Sequence, residues 1–504
     1  MSSQISPRLS KSRFVAGLQC VKRLYLECYQ RDLADPIDPS QQAVFDSGNA
    51  VGELARQRFP GGRLIEEQYF EHSQAVESTR KILTDASVPA LFEAAFTFER
   101  IRTRVDVLRR SGQQTFDLVE VKSGAKVKAE HIPDVAIQLH VLEGMGIIVR
   151  RAYLMHINTD YVYQGGPYEL EQLFSLQDVT DDAQAFMSEV MPSRLVKMWE
   201  VLHGEEEPAI ETGPHCMTPY QCPFYGYCHQ EATEHPVEEL PRVSSKVLDE
   251  LKDSGIGDIR GIPSDFPGLT PTQQRVRDSV AAEQPFISSD LASRLREVRF
   301  PVSFLDFETF NPALPAYVGT RPYQVIPFQW SLHVRDSSGQ LSHESFLNED
   351  SEDPRRAFVT SLLDTVPPHG TIVVYSGYEQ AIMQQLAVTL PEFAERLLAL
   401  CGRTFDLLKL VRENYYHPMF HGSYSIKSVL PALVPEMGYG DLEIQHGSMA
   451  AIGFARMIAP DTPISEKAKV KEALFAYCQR DTEAMVRVFA VLLAESGGQG
   501  GFAQ

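Results

Sequence analysis

Three short patterns in this chain set residues where they could do chemistry. In the apolar run VSFLDFETF, Asp306 and Glu308 stand two apart, and on a strand that spacing puts both carboxylates on one face. Two unpaired acids on an apolar strand are costly unless a cation neutralises them, so the pattern points to a metal site. YCQRD sets Tyr477 and Asp481 at i and i+4, one helical turn apart, where phenol and carboxylate can reach a common centre. A divalent cation held by such acids activates water and neutralises a scissile phosphate.

The second pattern lies near residue 110. Asp106 follows a strand, and Glu120-Val121-Lys122 puts an acid and a lysine on one face of the next strand, with Gln138 on the helix after it. Asp106 and Glu120 could hold a metal while Lys122 stabilises developing charge. The third pattern is Cys216, Cys222 and Cys228, spaced C-x(5)-C-x(5)-C, with Cys20 far upstream. Zinc fingers and common ferredoxins do not use this spacing. A structural zinc site remains an alternative. Cys28, Cys401 and Cys478 complete the seven cysteines, an odd number more suited to metal ligation or core thiols than to disulfides.

The elements that must position these groups follow from periodicity. LSKSRFVAGLQCVKRLYLECY reads as one helix carrying Cys20, and from Leu91 three strands precede a helix beginning near His131. Residues 231–243 look like a linker. Two short amphipathic segments flank Gly255-Ile256-Gly257, and Thr270 is a helix cap. Beyond residue 296 strands such as TIVVYSG alternate with helices, ending in a long helix through Tyr477 and Asp481, an α/β pattern. The Gly-rich end GGQGGF is expected to fray. Trp199 and Trp330 read as core, and His215, His229, His417 and His421 receive no role.

With 47 Lys and Arg against 67 Asp and Glu, the net charge of −20 excludes a protein that coats nucleic acid, so any such contact is local. Lys11, Arg13, Lys22 and Arg23 are the candidates near the N-terminus, and Arg100, Arg102, Arg104, Arg109 and Arg110 form a second basic group. No apolar run approaches the roughly 20 residues that span a bilayer, and no signal-like segment opens the chain, so a cytoplasmic protein without membrane contact is expected.

Asp106, Glu120-x-Lys122 and Gln138 resemble the PD-(D/E)XK motif of RecB-like nucleases. The family's early histidine falls on Gly52, beside which Glu53 offers a replacement, and its usual tyrosine after the glutamine is Leu142. The quartet Cys20, Cys216, Cys222 and Cys228 resembles that of iron-sulfur nucleases of the same class, which implies a 4Fe-4S cluster. Asp306-x-Glu308 with Tyr477-x(3)-Asp481 resembles the DEDD exonucleases of the RNase H-like fold, with Glu379 in VVYSGYEQ where an aspartate is usual. Asp406 in TFDLLKL resembles the extra Asp-Leu of some bacterial relatives, and Ser425 and Lys427 in YSIKSVL resemble their Ser-x-Lys segment, so that the resemblance makes Glu379 and Asp406 further candidate metal ligands. Together the parts resemble an uncharacterised bacterial family that fuses the two. The resemblance implies an α/β chain with a RecB-like nuclease domain over 1–235, a helical connector over 236–295 and an RNase H-like domain over 296–495. It further implies a Mg²⁺- or Mn²⁺-dependent nuclease acting on DNA or RNA. A non-catalytic or single-site nucleic-acid-binding protein is the alternative.

Overall fold

The computed structural model describes residues 8–204, 206–229 and 233–497; the Gly-rich end beyond Gly497 lies outside them. The chain is a mixed α/β protein that separates into two compact units, 1–231 with 312–324, and 232–311 with 325–504. The connector over 236–295 therefore belongs to the second unit. Pro312–Gln324 belongs to the first: Ala313 and Leu314 enter its core, and the Tyr323 hydroxyl donates to the Ser123 carbonyl.

The first unit opens with β1 (Leu9–Ser10), α1 (Lys11–Gln19), α2 (Val21–Tyr29) and α3 (Pro39–Arg56). The single helix expected here is two: Cys20 is extended, at φ −160° and ψ 126°, and serves as C-cap of α1 and N-cap of α2. β2 (Arg63–Leu64) and α4 (His72–Leu83) precede the expected run of three strands and a helix, β3 (Ala90–Phe98), β4 (Ile101–Arg110), β5 (Thr115–Lys122) and α5 (Ile132–Gly144). β6 (Ile148–Ile157) and β7 (Phe174–Asp178) complete a sheet ordered β2-β3-β4-β5-β6-β7, with β1 beside β4. β3, β4 and β5 are antiparallel neighbours and β6 runs parallel to β5, so α5 serves as the crossover. Apolar side chains fill both faces of the sheet. Leu118 and Leu154 meet Val135, Leu139 and Leu142 of α5 on one side, and Val107 and Val119 meet Val51 and Ala55 of α3 on the other.

In the second unit α6 (Ser245–Asp253) and α7 (Pro271–Ala282) precede the sheet; Thr270 caps α7 in a reciprocal box with Gln273. A small ribbon pairs β8 (Phe286–Ile287) with a later strand. The main sheet contains β9 (Val302–Phe310), β10 (Ile326–Arg335), β11 (Leu341–Leu347), β12 (Thr371–Val374) and β13 (Thr404–Asp406) in the order β11-β10-β9-β12-β13. β9, β10 and β11 form an antiparallel meander, whereas β12 and β13 run parallel to β9. Helices α8 (Arg355–Thr365) and α9 (Tyr378–Thr389) cover the face carrying Leu305, Phe307 and Trp330. α10 (Leu407–Asn414) leads to β14 (Tyr415–Tyr416), the partner of β8, and α11 (Ile426–Leu433) and α12 (Gly447–Ile458) follow. The long α13 (Ile464–Glu495) buries Leu474, Tyr477, Cys478, Asp481, Met485, Val488 and Leu492, a stripe at helical spacing. That stripe lies on the opposite face of the sheet, where Phe304 meets Phe489 and Ser331 meets Thr482.

Candidate active sites

The pleat of β9 decides which acids meet. Leu305 and Phe307 point to α8 and α9, so Asp306 and Glu308 point to α13. There they join Glu379, at the start of α9, and Tyr477 and Asp481 on a pocket of about 230 Å³, also lined by Tyr378 and Lys427. The Cys478 thiol donates to Asp306 Oδ2 at 3.7 Å, and ligand atoms of Asp306, Glu308 and Cys478 all lie within 4.8 Å of one another. The Tyr439 hydroxyl donates to Asp481 Oδ1 at 2.5 Å. Lys427 Nζ stands 5.4 Å from the ring centre of Tyr439 and 5.3 Å from that of Tyr477.

Electrostatically this pocket is overloaded with negative charge. Burial pushes Asp306 and Glu308 well above the usual carboxylate range, and the neighbouring Asp481 and Glu379 add to it. Glu379 is pushed up to about 8, first by burial and then by Asp406 and Asp481. Asp481 reaches only about 6: burial raises it, but the Tyr439 hydroxyl and Lys427 pull it back. Burial lowers Lys427, against the pull of Asp481, Glu308 and Asp306. Glu379 Oε2 is buried without a hydrogen-bond partner. Such an atom, among acids that share one half-buried lysine, fits the donor set of a hard divalent cation.

Asp406 behaves differently. It ends β13 and caps α10, accepting from the Lys409 backbone N–H at 2.8 Å, and it is not among the residues lining the pocket. Its charge is felt through Glu379. Ser425 occupies the N-cap position of α11, two residues before Lys427.

In the first unit Glu120 is the hub. Its Oε1 accepts from Lys11 at 2.8 Å and Lys122 at 2.9 Å, and its Oε2 from Gln138 at 2.7 Å. Lys122 also pairs with Asp134. Burial opposes ionisation of Glu120, but Lys11 and Lys122 outweigh it and hold the carboxyl at about 2. Asp106 accepts from the Val121 backbone N–H at 2.7 Å, yet burial and the nearby Glu120 push it up to about 7. The fold thus brings together Asp106, Glu120, Lys122 and Gln138.

It adds two residues that the motif reading missed. Lys11, expected at a nucleic-acid surface, is an ion-pair partner of Glu120, placed there because β1 runs along β4 and α1 starts beside it. Glu93 is the other. Phe92 pairs with Val107 and Ala94 with Val105, leaving Glu93 opposite Asp106, at a φ of 56° and bonded to Arg56 at 3.0 Å. Glu53, the expected replacement for the missing histidine, is exposed on α3. The acid in FEAAF could have been noticed as the polar break in an apolar strand.

Cys20, Cys216, Cys222 and Cys228 line one small cavity of about 20 Å³, together with Lys22 and Arg23. Burial raises the Cys222 and Cys228 thiols, and Cys20 and Cys216 raise both further, as expected of thiols gathered at one point. The break at Cys20 aims its side chain at this cavity. The other cysteines lie elsewhere: Cys28 packs on the core of the first unit, Cys401 in that of the second, and Cys478 at Asp306. The basic residues of this end are engaged within the protein. Lys22 pairs with Glu207 at 2.8 Å, Arg23 with Glu27 at 2.9 Å, and Arg13 donates to the Arg8 carbonyl at 3.1 Å. A larger pocket, about 470 Å³, is lined by Arg8, His72, Thr97, Arg100 and Arg102. Among the described residues no helix is long and apolar enough to cross a membrane.

No curated protein matches this chain. Among solved structures, an alkaline exonuclease (LHK-Exo) from Laribacter hongkongensis is 13% identical over 39% of this chain and 89% of its own, with a TM-score of 0.18. LHK-Exo in complex with dAMP is 12% identical at the same coverages, with a TM-score of 0.23. Residues 303–425, from β9 to the N-cap of α11, match a family described as a domain of unknown function, DUF2779.

Proposed function

We propose that this chain is a divalent-metal-dependent nuclease that hydrolyses phosphodiester bonds in DNA or RNA, with its principal active site on the second unit. The observation that carries this reading is the convergence of Asp306, Glu308, Glu379 and Asp481, with Tyr477 and Lys427, on one pocket. The strand order β11-β10-β9-β12-β13, with an antiparallel meander and a parallel edge, supports an RNase H-like fold for this unit. The four carboxylates would hold Mg²⁺ or Mn²⁺, which when bound supplies a nucleophilic water and charge neutralisation at the phosphate. Lys427, which lines the same pocket, would pair with a phosphate oxygen. Tyr477, one turn before Asp481, would orient the attacking water. Degradation of labelled single- and double-stranded substrates with Mn²⁺, by the wild type and Asp306→Ala, tests the proposal; substrates left intact by the wild type would refute it.

For the first unit, the β3-β4-β5 meander with α5 crossing to β6 supports a PD-(D/E)XK reading. One observation favours a second role there, gripping nucleic acid without cleaving it. Glu120 is already neutralised by Lys11 and Lys122, so a cation must compete with two lysines. Cys20, Cys216, Cys222 and Cys228 would hold a 4Fe-4S cluster, tying the α1–α2 junction to the end of the unit.

A further inference from the structure

We propose that His235, Glu239 and His421 form a Zn²⁺ site that clips the start of the second unit to the loop before α11. The residues come from two segments far apart in sequence. His235 precedes the single helical turn Val237–Glu239, and His421 ends the turn Pro418–Phe420. Glu239 Oε2 lies 3.2 Å from His421 Nδ1 and 3.7 Å from His235 Nδ1, and ligand atoms of all three fall within 4.8 Å of one another. A tetrahedral zinc at its usual bond lengths needs donor atoms about 3.4 Å apart, which the two measured separations bracket. Two imidazoles and one carboxylate make a donor set suited to zinc, with a fourth position left for water.

A second observation points to a ligand. His235 is 6% exposed, and its Nδ1 is buried without a hydrogen-bond partner, although Glu239 Oε2 stands just beyond bonding distance. A buried ring nitrogen left in that state costs free energy unless something binds it. The backbone holds the arrangement. His421 and Gly422 both have positive φ, 48° and 71°, and a Cβ at Gly422 would stand 1.7 Å from the Glu239 carbonyl oxygen. Only glycine permits so close an approach, and it fixes His421 against Glu239. The rings of His235 and His421 stack at 5.1 Å, and His421 remains partly open to solvent, giving a cation access.

Co²⁺, which takes zinc positions and absorbs visibly in tetrahedral sites, is the probe, added to the full chain and read as a difference spectrum. The wild type should show a tetrahedral nitrogen–oxygen band that survives Cys222→Ser and Asp306→Ala, separating this site from the thiols and from the proposed active site. Zn²⁺ should displace it at one equivalent. His421→Ala removes a partly exposed side chain, and Glu239→Gln keeps the shape of the carboxylate. Each should weaken Co²⁺ binding at least 100-fold, since groups that only hydrogen-bond to a ligand already cost about 10–100-fold. Zn²⁺ should also raise the melting midpoint of the wild type by more than that of either variant. No band in the wild type, or an equal band in both variants, would overturn the site and leave the His421–Glu239 contact a plain surface hydrogen bond.

Discussion

Glu120 and Glu308 are both buried acids on central strands, yet the molecule manages their charges in opposite ways. Two lysines and a glutamine meet Glu120 and hold its carboxyl at about 2. Glu308 shares its pocket with three more carboxylates and one half-buried lysine, and it is pushed well above the usual range. The first site carries its own counter-charge. The second requires protons or an external cation, and on that difference rests the proposal that metal chemistry belongs chiefly to the second unit.

The largest effect should come from breaking the second site. Asp306→Ala should abolish cleavage, at least the 10²–10³-fold that loss of one electrostatic stabiliser costs. Glu120→Ala should leave cleavage intact if the first unit only grips, with a fall in substrate affinity measured by filter binding. Loss of cleavage in Glu120→Ala alone would reverse the comparison. Tyr477→Phe should cost about 10²-fold in kcat, because a positioned proton-handling group is lost while the metal ligands stay. Glu379→Gln should cripple turnover and Glu379→Asp should retain much of it; silence of Glu379→Gln together with an inactive Asp406→Asn would move the metal set to Asp406.

In the first unit the expected effect is on folding. Anaerobically purified protein should be brown, and Cys20→Ser, Cys216→Ser, Cys222→Ser or Cys228→Ser should each remove the colour and lower the melting midpoint of that unit. Cys401→Ser should leave both unchanged, as measured by visible absorbance and iron content.

The smallest effect is a pH dependence larger in the second unit than in the first, where Asp106, pushed up to about 7, contributes a smaller share. The raised carboxylates of Asp481 and Glu379, at about 6 and about 8, bind protons in the folded state that the unfolded chain releases near its ordinary range. Their protonation therefore protects the metal-free fold at low pH, and that protection is lost as pH rises from about 4 to 8, by up to about 1.4 kcal/mol per pH unit for each group. Scanning calorimetry without metal should find the second unit melting several degrees lower at pH 8 than at pH 6. Mn²⁺ should restore most of the difference, and Glu379→Gln should shrink it. A fall of equal size in the first unit would contradict the contrast between the two sites.

Much of each site was legible as local pattern. The two-residue spacing of Asp306 and Glu308, the four-residue spacing of Tyr477 and Asp481, and Glu120-x-Lys122 each stayed on one face of the expected strand or helix, because strand and helix periods are properties of the backbone. The Thr270 cap was legible for the same reason. The break at Cys20 was not: α1 and α2 read as one continuous helical period, and the cysteines that share the Cys20 cavity stand some 200 residues downstream.

What the sequence determined by itself was therefore the set of local geometries and the kinds of side chain they carry. The tertiary structure decided which sets meet. Strand pairing placed Glu93 opposite Asp106 and brought Lys11 to Glu120, turning a basic surface candidate into a half-buried counter-ion. The start of α9 carried Glu379 into the pocket while Asp406 was spent on capping α10. A close backbone approach at Gly422 gave His421, without a role in the sequence, two partners. Such pairings join residues tens to hundreds of positions apart, and no local period records them, because they are fixed by sheet register and packing of the whole chain.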